Sequence, residues 1–420
     1  MITQSKNETV QKATQSKLAA KYVSRSTSED RHRALLSISH YLEQNHERIL
    51  KANEQDVTAS LQKGATAAYI DRLTLDGHRI QALSDMLKKL VTLPDPLFQV
   101  KEETVRPNGL RIQHVTVPLG VVGIIYEARP NVTVDTAALA LKTGNVTLLK
   151  GSSSTIHTNR VLVQIMQDAL SDAGFPAEAI QLIEDPERTA LGDMCHARGY
   201  LDVLIPRGGE KLIQTVVEQS TVPVIETGAG NCHVYIDETA DPDMAIKVAV
   251  DAKTQRPSVC NACETIVVHE EWFAQNGKAL IEALEEKGVT IHGDPRVQAI
   301  STSIIEADDD DWKTEYLSLD VAMKTVPDID SAISHISSYS TFHSECILTE
   351  NDRHASLFFA SVDAAAVYHN ASTRFTDGEE FGYGAEVGIS TQKLHARGPM
   401  GLPALTTTKA LIRGSGQTKA

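Results

Sequence analysis

Hydrophobic and polar positions follow a helical period through the first hundred residues of the chain. Apolar residues recur at helical spacing between Leu35 and Ile49, after a candidate capping box at Ser26-x-x-Glu29. A second amphipathic stretch runs from Ile80 to Leu90 and stops at Leu93-Pro94-Asp-Pro96, where the prolines prevent a helix from continuing. The pattern therefore predicts a mainly helical N-terminal quarter.

Beyond residue 105 the pattern changes to short apolar runs of strand length, separated by turns and helical segments. One helix is predicted from Ile156 to Leu170, closed by Gly174. Strands are predicted at Gly109–Val117, Val121–Tyr126, Val146–Leu149, Val203–Ile205, Val222–Ile225, Val234–Ile236 and Ile266–Val268, with a strand-like tail at Leu402–Ile412. Apolar strands that alternate with helices are typical of βαβ units, so we predict an α/β fold with a parallel sheet.

The composition is that of an ordinary globular protein of two or three domains, with 420 residues, 41% hydrophobic and 23% charged. Its 40 basic and 55 acidic residues give a net charge of −15, which argues against a nucleic-acid or anionic-membrane partner. The first residues lack the pattern of a signal peptide, and the apolar runs are shorter than a membrane span. The five cysteines are too sparse for a disulfide framework, so we expect a cytoplasmic protein in a reducing environment.

Two turns of small residues each follow a predicted strand and open a predicted helix. In Lys150-Gly-Ser-Ser-Ser154 the turn can direct backbone N–H groups at an anion, and the lysine adds a charge for a ribose hydroxyl or a phosphate. In Pro206-Arg-Gly-Gly-Glu210, the arginine beside two glycines can contact a phosphate. Each turn also fits an ordinary strand-to-helix connection with a solvated side chain.

Other patterns exclude several common sites. The stretch Glu226–His233 contains Gly228-x-Gly230 but lacks the third glycine of the dinucleotide-binding fingerprint. The sequence contains neither a phosphate-binding Walker loop nor a His-Glu-x-x-His metal motif. We therefore expect no metal site.

Cys260 and Cys263 form a Cys-x-x-Cys pair that has three functional interpretations. Zinc binding requires a second ligand pair at suitable spacing, which the sequence lacks. Thioredoxin-like redox chemistry is typical near the start of a small domain, whereas this pair lies deep in a long chain. The third interpretation makes Cys260 a lone nucleophile at a loop-to-strand junction, where Arg256 and backbone amides favour its thiolate. Two buried cysteines without chemistry are the structural alternative.

Longer motifs occur in one order along almost the whole chain. They are Arg72–Leu75, Val117–Thr133, Lys142–Asn145, Leu149–Ser152, Asp202–Gly209, Cys232–Asp237, Ala252–Ala262, Asn370–Gly378, Gly384–Val387 and Ser390–Gly401. In these motifs the chain resembles the aldehyde dehydrogenase superfamily, and within it the enzymes that reduce an acyl phosphate in proline synthesis. The resemblance implies a Rossmann-type NADP-binding domain (1–105 and 121–229), an α/β catalytic domain (230–394) and a β-strand oligomerisation arm (106–120 and 395–420).

The resemblance also implies roles for individual residues. Cys260 is the expected nucleophile, and Asn131 is the expected asparagine of the oxyanion hole. The expected contacts of NADPH/NADP are Lys150, Gly151 and Ser152 at the adenosine ribose and phosphate, Arg207, Gly208 and Gly209 at the pyrophosphate, and Glu315 at the nicotinamide ribose. The expected partners of the substrate's anionic groups are Arg129, Arg374 and Arg397.

The implied reaction is the reduction of L-glutamyl 5-phosphate by NADPH to L-glutamate 5-semialdehyde, through a Cys260 thioester. Because water would hydrolyse that thioester, we expect Glu226, which stands where hydrolytic relatives have a water-activating glutamate, to be dispensable. Cys263 is expected to be a small core residue, and the alternative hypothesis is that it traps an oxidised Cys260 as a reversible disulfide.

The resemblance further implies a homodimer or homotetramer, and a transient contact with glutamate 5-kinase. Two other functions remain open. One is another acylating aldehyde dehydrogenase, acting on a coenzyme A thioester or a different acyl phosphate. The other is a non-catalytic scaffold with the same fold, against which the intact Cys260 and Lys150 argue.

Overall fold

The computed structural model of the chain describes residues 8–186 and 188–419, without the side chains of Ala68 and Arg188. The chain divides into two compact units. The first contains the residues up to 227 together with 382–388 and those from 400 onward, and the second contains 228–381 and 389–399. Each unit has its own parallel sheet.

The first unit begins with helices and continues with alternating strands and helices, as the sequence pattern predicts. Its helices are α1 Glu8–Val23, α2 Ser28–Gln44, α3 His46–Gln62, α4 Ala67–Leu73, α5 Gly77–Thr92, α6 Asn131–Lys142, α7 Ile156–Asp172, α8 Arg188–Cys195 and α9 Glu210–Gln219. Its strands up to residue 227 are β1 Val100–Val105, β2 Arg111–Pro118, β3 Val121–Tyr126, β4 Val146–Lys150, β5 Ile180–Leu182 and β6 Val203–Arg207.

The parallel sheet of the first unit has the strand order β5-β4-β3-β6. Every residue of β3 is buried, as expected for a central strand that is covered on both faces. The chain passes from β3 through α6 to β4, whereas β6 pairs with the other side of β3. The strand order therefore reverses between β3 and β6, and the carboxyl ends at such a reversal commonly form a ligand crevice.

The second unit is an α/β sandwich. Its helices are α10 Pro242–Thr254, α11 Glu270–Glu286, α12 Pro295–Gln298, α13 Ile329–Tyr339 and α14 Asp352–Ser361. Its strands are β7 Cys232–Ile236, β8 Cys263–His269, β9 Thr290–Gly293, β10 Ile305–Glu306, β11 Asp320–Val326, β12 Ser344–Leu348, β13 Ala366–His369, β14 Ile389–Ser390 and β15 Gly398–Pro399. Seven of these strands form one parallel sheet in the order β10-β9-β11-β8-β7-β12-β13, and β14 and β15 form an antiparallel pair.

Helices cover both faces of this seven-stranded sheet. One apolar cluster joins Val234 and Ile266 to α10 and α11, and the other joins Tyr235 and Val267 to α13 and α14. Neighbouring residues of β7 and β8 thus contribute to opposite cores, which the two-residue period of a strand requires. The rigid sheet fixes the loop that precedes β8, where Cys260 lies.

The last strand, β16 Thr406–Arg413, belongs to the first unit. It pairs antiparallel with β2 over its whole length, and β1 pairs with the other side of β2. The predicted C-terminal strand is thus shorter than expected, because Leu402–Leu405 form a 3₁₀ turn before it. Within the described residues, no helix has both the length and the apolar character needed to cross a membrane.

Two predictions of local structure were wrong. The capping box of α2 is formed by Thr27 and Asp30, because the Ser26 hydroxyl donates to the Val23 carbonyl at the end of α1 instead. The segment predicted as a strand around Val224 forms only an isolated bridge to Leu204, since Pro223 has no N–H to donate to a ladder.

Candidate active site

The carboxyl ends of β3, β4 and β6 bring the cofactor residues expected in the first unit to one edge of its sheet. Lys150 is in register with Ile125, and Arg207 is in register with Tyr126, so the two cations flank the central strand. Because strands lie about 4.8 Å apart, their Cα atoms are separated by roughly 10 Å. Arg129 and the start of α6 follow directly from the same end of β3.

The turn after β4 is tightly packed around a half-buried lysine. Burial lowers the pKa of Lys150, while the carboxylates of Asp185 and Glu8 partly offset this effect. A Cβ atom on Gly151 would lie 2.2 Å from the Asn159 amide nitrogen, so only glycine fits there. Ser152 caps the following 3₁₀ turn through its hydroxyl, which accepts from the Ser154 N–H at 3.2 Å.

The N-terminus of α7 holds a carboxylate of the protein itself. Asp56 is buried, and its carboxylate accepts the Thr158 N–H at 2.8 Å and the Thr158 hydroxyl at 2.6 Å. It also accepts the His157 N–H at 3.3 Å. These helix amides are therefore not directed at an incoming anion, and the groups of this turn that suit a cofactor are the Lys150 ammonium and the serine hydroxyls.

A second carboxylate lies at the N-terminus of α9. Glu127, directly after β3, accepts the Gly209 N–H at 2.9 Å, and its own N–H donates to the Arg207 carbonyl. A Cβ atom on Gly208 would come within 2.6 Å of the same carboxylate. Because like charges repel, we expect a phosphate at this turn to be bound mainly by the Arg207 guanidinium. The donor set, with one cation on either side of β3, fits an anionic dinucleotide.

Asn131 is the first residue of α6, where an acidic neighbour orients it. Its amide nitrogen donates to the Asp135 carboxylate, one helical turn further on, at 2.9 Å. Burial raises the pKa of Asp135 to about 6, against the opposing effects of this hydrogen bond and of Arg207. An amide NH₂ group has two N–H bonds, so the contact with Asp135 leaves a second one that can be offered to an oxyanion.

Cys260 lies in the second unit, in the loop between α10 and β8, and is half-buried. The thiol of Cys232, the first residue of β7, donates to the Cys260 carbonyl at 3.2 Å. Gly230 packs against the same carbonyl so closely that a Cβ atom would lie 1.4 Å from its oxygen. The Gly230 N–H donates to the Glu315 carboxylate at 2.7 Å, which brings this predicted cofactor ligand next to the Cys260 loop.

Asn261 joins the Cys260 loop to the turn that contains Arg374. Its side-chain amide donates to the Thr376 carbonyl at 2.8 Å, and its own carbonyl accepts the Thr373 hydroxyl at 2.7 Å. Burial lowers the pKa of Arg374, Arg256 lowers it further, and the Cys260 thiolate raises it. The Arg374 guanidinium therefore lies within electrostatic reach of Cys260, and Arg256 lies within electrostatic reach of Arg374.

A buried ion pair supports the segment around Glu315. The Lys253 ammonium lies 2.5 Å from the Glu264 carboxylate, and both side chains are fully buried. Burial raises the pKa of Glu264 to about 7, although Lys253 opposes the shift. The other oxygen of Glu264 accepts the N–H of Leu317, whose φ of 55° lies in the left-handed region. The ion pair thus holds Leu317 in a strained conformation, two residues after Glu315.

The remaining two predicted residues of the second unit have different surroundings. Arg397 forms an ion pair with Asp363 at 2.6 Å, and Lys393 pairs with the same carboxylate. Cys263 is fully buried in the apolar cluster beneath α10 and α11, where burial raises the pKa of its thiol. Its position agrees with the expectation of a small core residue, and trapping of an oxidised Cys260 stays a hypothesis.

Comparison with known proteins identifies the family to which this chain belongs. The sequence profile described as the aldehyde dehydrogenase family matches residues 1–322. The chain belongs to the aldehyde dehydrogenase family. A Bacillus cereus protein named gamma-glutamyl phosphate reductase is 52% identical over 413 residues, which cover 98% of this chain and 100% of that protein. A relative of the same name from Geobacillus is 52% identical over 99% of this chain and 100% of its own length.

Solved structures agree with this assignment. The crystal structure of gamma-glutamyl phosphate reductase from Thermotoga maritima matches with a TM-score of 0.96 and 44% identity, over 98% of this chain and 100% of that one. An acetylating aldehyde dehydrogenase from Geobacillus thermoglucosidasius matches with a TM-score of 0.71 and 16% identity over 98% of each chain, which shows a shared fold alone. The expected α/β aldehyde dehydrogenase fold and the oxidoreductase class are therefore confirmed, and enzymes of this family use NAD or NADP.

Several residues that build the site were missed by the sequence interpretation. They are Asp56, Glu127, Asp135, Cys232, Lys253 and Glu264. Glu127 and Asp135 stand beside predicted residues, and their position at a strand end and one helical turn past Asn131 was an available signal. Asp56 and Cys232 contact residues far away in the sequence, and Lys253 and Glu264 pair between a helix and the following strand, so no local pattern indicates these contacts.

Proposed function

We propose that this chain reduces L-glutamyl 5-phosphate with NADPH to L-glutamate 5-semialdehyde and releases phosphate, as the second step of proline biosynthesis from glutamate. The observation that carries the proposal is the 52% identity, over the full length of the relatives, to proteins named gamma-glutamyl phosphate reductase. A half-buried cysteine within electrostatic reach of the Arg374 guanidinium supports it, because an acyl phosphate needs a nucleophile and a cation for its leaving group.

The covalent step uses residues of the second unit. The Cys260 thiolate attacks the γ-carbonyl carbon, the bond to the phosphate oxygen breaks, and a thioester forms. Arg374 is our candidate for the leaving phosphate, because its guanidinium donates to the Gln255 side chain at the start of the Cys260 loop and its backbone carbonyl accepts the Asn261 amide. Arg397 and Arg129 remain candidates for the other charged groups of the substrate.

The oxyanion formed in this step requires hydrogen-bond donors. We assign the Asn131 amide to this role together with backbone N–H groups near Cys260, and such donors typically contribute about 3 kcal/mol each. The hydrogen bond from Asn131 to Asp135 supports the assignment, since it fixes the amide plane before substrate arrives. Glu226 has no task in this scheme, because no water attacks the thioester.

Residues at the sheet edge of the first unit hold the cofactor in this proposal. Lys150, Gly151 and Ser152 contact the adenosine ribose and its phosphate, Arg207, Gly208 and Gly209 contact the pyrophosphate, and Glu315 of the second unit contacts the nicotinamide ribose. Bound NADPH supplies the hydride that reduces the acyl carbon to the level of an aldehyde. The role of Cys260 at the end is that of a leaving group, which regenerates the thiolate.

The proposal extends to location and assembly. We assign the protein to the cytoplasm and expect a homodimer or homotetramer, with a transient contact to glutamate 5-kinase. The antiparallel sheet of β1, β2 and β16 supports an oligomerisation arm, since strands β1 and β16 stand at its two edges. The domain boundaries expected from the sequence remain part of this proposal.

The reaction run in reverse tests the function. Glutamate semialdehyde, phosphate and NADP should give NADPH in a phosphate-dependent manner, and Cys260→Ala should abolish it. Cys195→Ala is the matched control, because it removes a buried thiol of the first unit. Activity without phosphate would assign the chain to hydrolytic enzymes, and activity that requires coenzyme A would assign it to the other acylating aldehyde dehydrogenases.

A further inference from the structure

We infer that Cys232 is a positioning residue, whose buried thiol holds the backbone carbonyl of Cys260 and thereby sets the direction of the nucleophile. The inference rests on the proposed role of Cys260. It concerns a residue outside the Cys-x-x-Cys pair, on a different strand, 28 positions earlier in the sequence.

The contact between the two cysteines has the geometry of a hydrogen bond. The Cys232 sulfur lies 3.2 Å from the Cys260 carbonyl oxygen, and the side chain of Cys232 is fully buried. Burial, reinforced by the negative charge of Glu345, raises the pKa of the Cys232 thiol well above its usual range. The group therefore stays protonated at working pH and remains a donor, whereas a thiolate would repel the carbonyl.

Cys232 is itself held by a chain of polar side chains. Its sulfur lies 3.7 Å from Nδ1 of His343, which contacts the Ser344 hydroxyl at 2.9 Å. The Ser344 hydroxyl contacts that of Thr376 at 2.6 Å, and the Thr376 carbonyl accepts the Asn261 amide. This series of contacts begins at the Cys260 carbonyl and ends at Asn261, the next residue in the chain. The contacts therefore form a closed ring that includes the peptide bond between Cys260 and Asn261.

The ring matters because a peptide unit is planar and trans. Its C=O and N–H bonds point in opposite directions, so the orientation of the Cys260 carbonyl also sets that of the Asn261 N–H. Gly230 closes the space on another side of the carbonyl. Loss of the thiol would leave the peptide free to rotate, which moves both the Cys260 side chain and a backbone donor beside it.

Two variants without a donor, Cys232→Ala and Cys232→Val, test the inference, and Cys232→Ser retains a donor. The matched control is Cys263→Ala, which removes another fully buried thiol, three residues after Cys260 in the sequence, but one that donates within its own strand to the Thr265 carbonyl. Circular dichroism and thermal unfolding establish that each variant is folded. If one donor-less variant does not fold, the other carries the test.

The first measurement is the rate at which iodoacetamide alkylates Cys260, followed by mass spectrometry across a range of pH. We expect a decrease of at least about 5-fold, equal to the loss of one hydrogen bond of about 1 kcal/mol, in the donor-less variants. In the reverse assay we expect kcat to fall by about 5- to 100-fold while KM changes less than about 3-fold. Cys232→Ser should recover most of both rates, and Cys263→Ala should resemble the parent.

The inference is overturned if the donor-less variants alkylate like the parent, if Cys263→Ala shows the same loss, or if Cys232→Ser fails to recover it. Alkylation requires no substrate. A parent protein that is inactive with glutamate semialdehyde, but whose Cys260 loses reactivity in Cys232→Ala, would refute the proposed function and leave the positioning role intact.

Discussion

Gly230 is the position at which the smallest change should have the largest effect on activity. A Cβ atom there would lie 1.4 Å from the Cys260 carbonyl oxygen, 2.3 Å from its carbon and 2.8 Å from the Cα atom. All three atoms belong to the backbone, so no side-chain rotation relieves the overlap. Non-bonded heavy atoms need about 3.5 Å, so Gly230 and the Cys260 backbone must move apart by roughly 2 Å in Gly230→Ala.

A displacement of this size is sufficient to disable the nucleophile. Misplacing a reacting group by about 1 Å costs on the order of 100-fold in rate, so we expect the activity of Gly230→Ala to fall by at least that factor. Initial rates of phosphate-dependent NADPH formation measure the loss. Iodoacetamide alkylation of Cys260 reports whether the cysteine itself has been displaced.

Gly192 provides the control for this prediction. A Cβ atom on Gly192, inside α8, meets nothing within 4 Å, so Gly192→Ala should retain full activity and gain slightly in helix stability. Both variants should remain folded by circular dichroism. A folded Gly230→Ala protein with activity within about 10-fold of the parent would refute the reasoning, because the loop would then tolerate the displacement that the contact requires.

Three further predictions follow from buried charges and from the reaction. Lys253→Met leaves Glu264 buried without its counter-ion and should lower the free energy of unfolding by about 3–5 kcal/mol, most of which the double variant with Glu264→Leu should recover in urea denaturation. Because burial raises the pKa of Asp135 from 3.8 to about 6, the folded state holds a proton that the unfolded state releases in this window, and stability falls as pH rises through it. Above pH 6, the free energy of unfolding of Asp135→Asn should therefore exceed that of the parent, by no more than about 3 kcal/mol. At about pH 4 this gain in stability should be absent. Glu226→Ala should lose less than about 100-fold in reductive activity, and a larger loss would give this carboxylate a catalytic task.

The pattern of apolar residues along the chain predicted those parts of the fold that depend on local sequence. The buried runs of β3, β4 and β6 lie where the apolar pattern placed them, because each strand buries a continuous apolar stretch. The prediction of a strand near Val224 was wrong, because strand pairing depends on a partner strand that cannot be identified from the local sequence. A short apolar run that contains a proline has the composition of a strand, but the proline cannot donate a hydrogen bond to a neighbouring strand.

The site was predictable to the extent that its residues stand in turns or next to Cys260. The hydrogen-bond partners of the two carboxylates at the helix N-termini were not predictable, because Asp56 reaches Thr158 across 102 positions and Glu127 reaches Gly209 across 82. Strand register alone brings Cys232 opposite Cys263 and so next to the nucleophile loop. Such contacts depend on how distant segments of the chain come together in the fold. The periodicity of a single helix or strand carries no information about these long-range contacts.

The pairing of β16 with β2 has a consequence for the order in which the protein is made. The first unit is built mainly from residues up to 227, but its antiparallel sheet is completed only by a strand from 406 to 413, and the carbonyl of the neighbouring Leu405 also accepts the Asn145 side-chain amide. Ribosomes add roughly 5–20 residues per second, so this unit waits on the order of 10–40 s for its last strand. During that time β2 presents an unpaired edge, and the second unit can finish folding before the first one does.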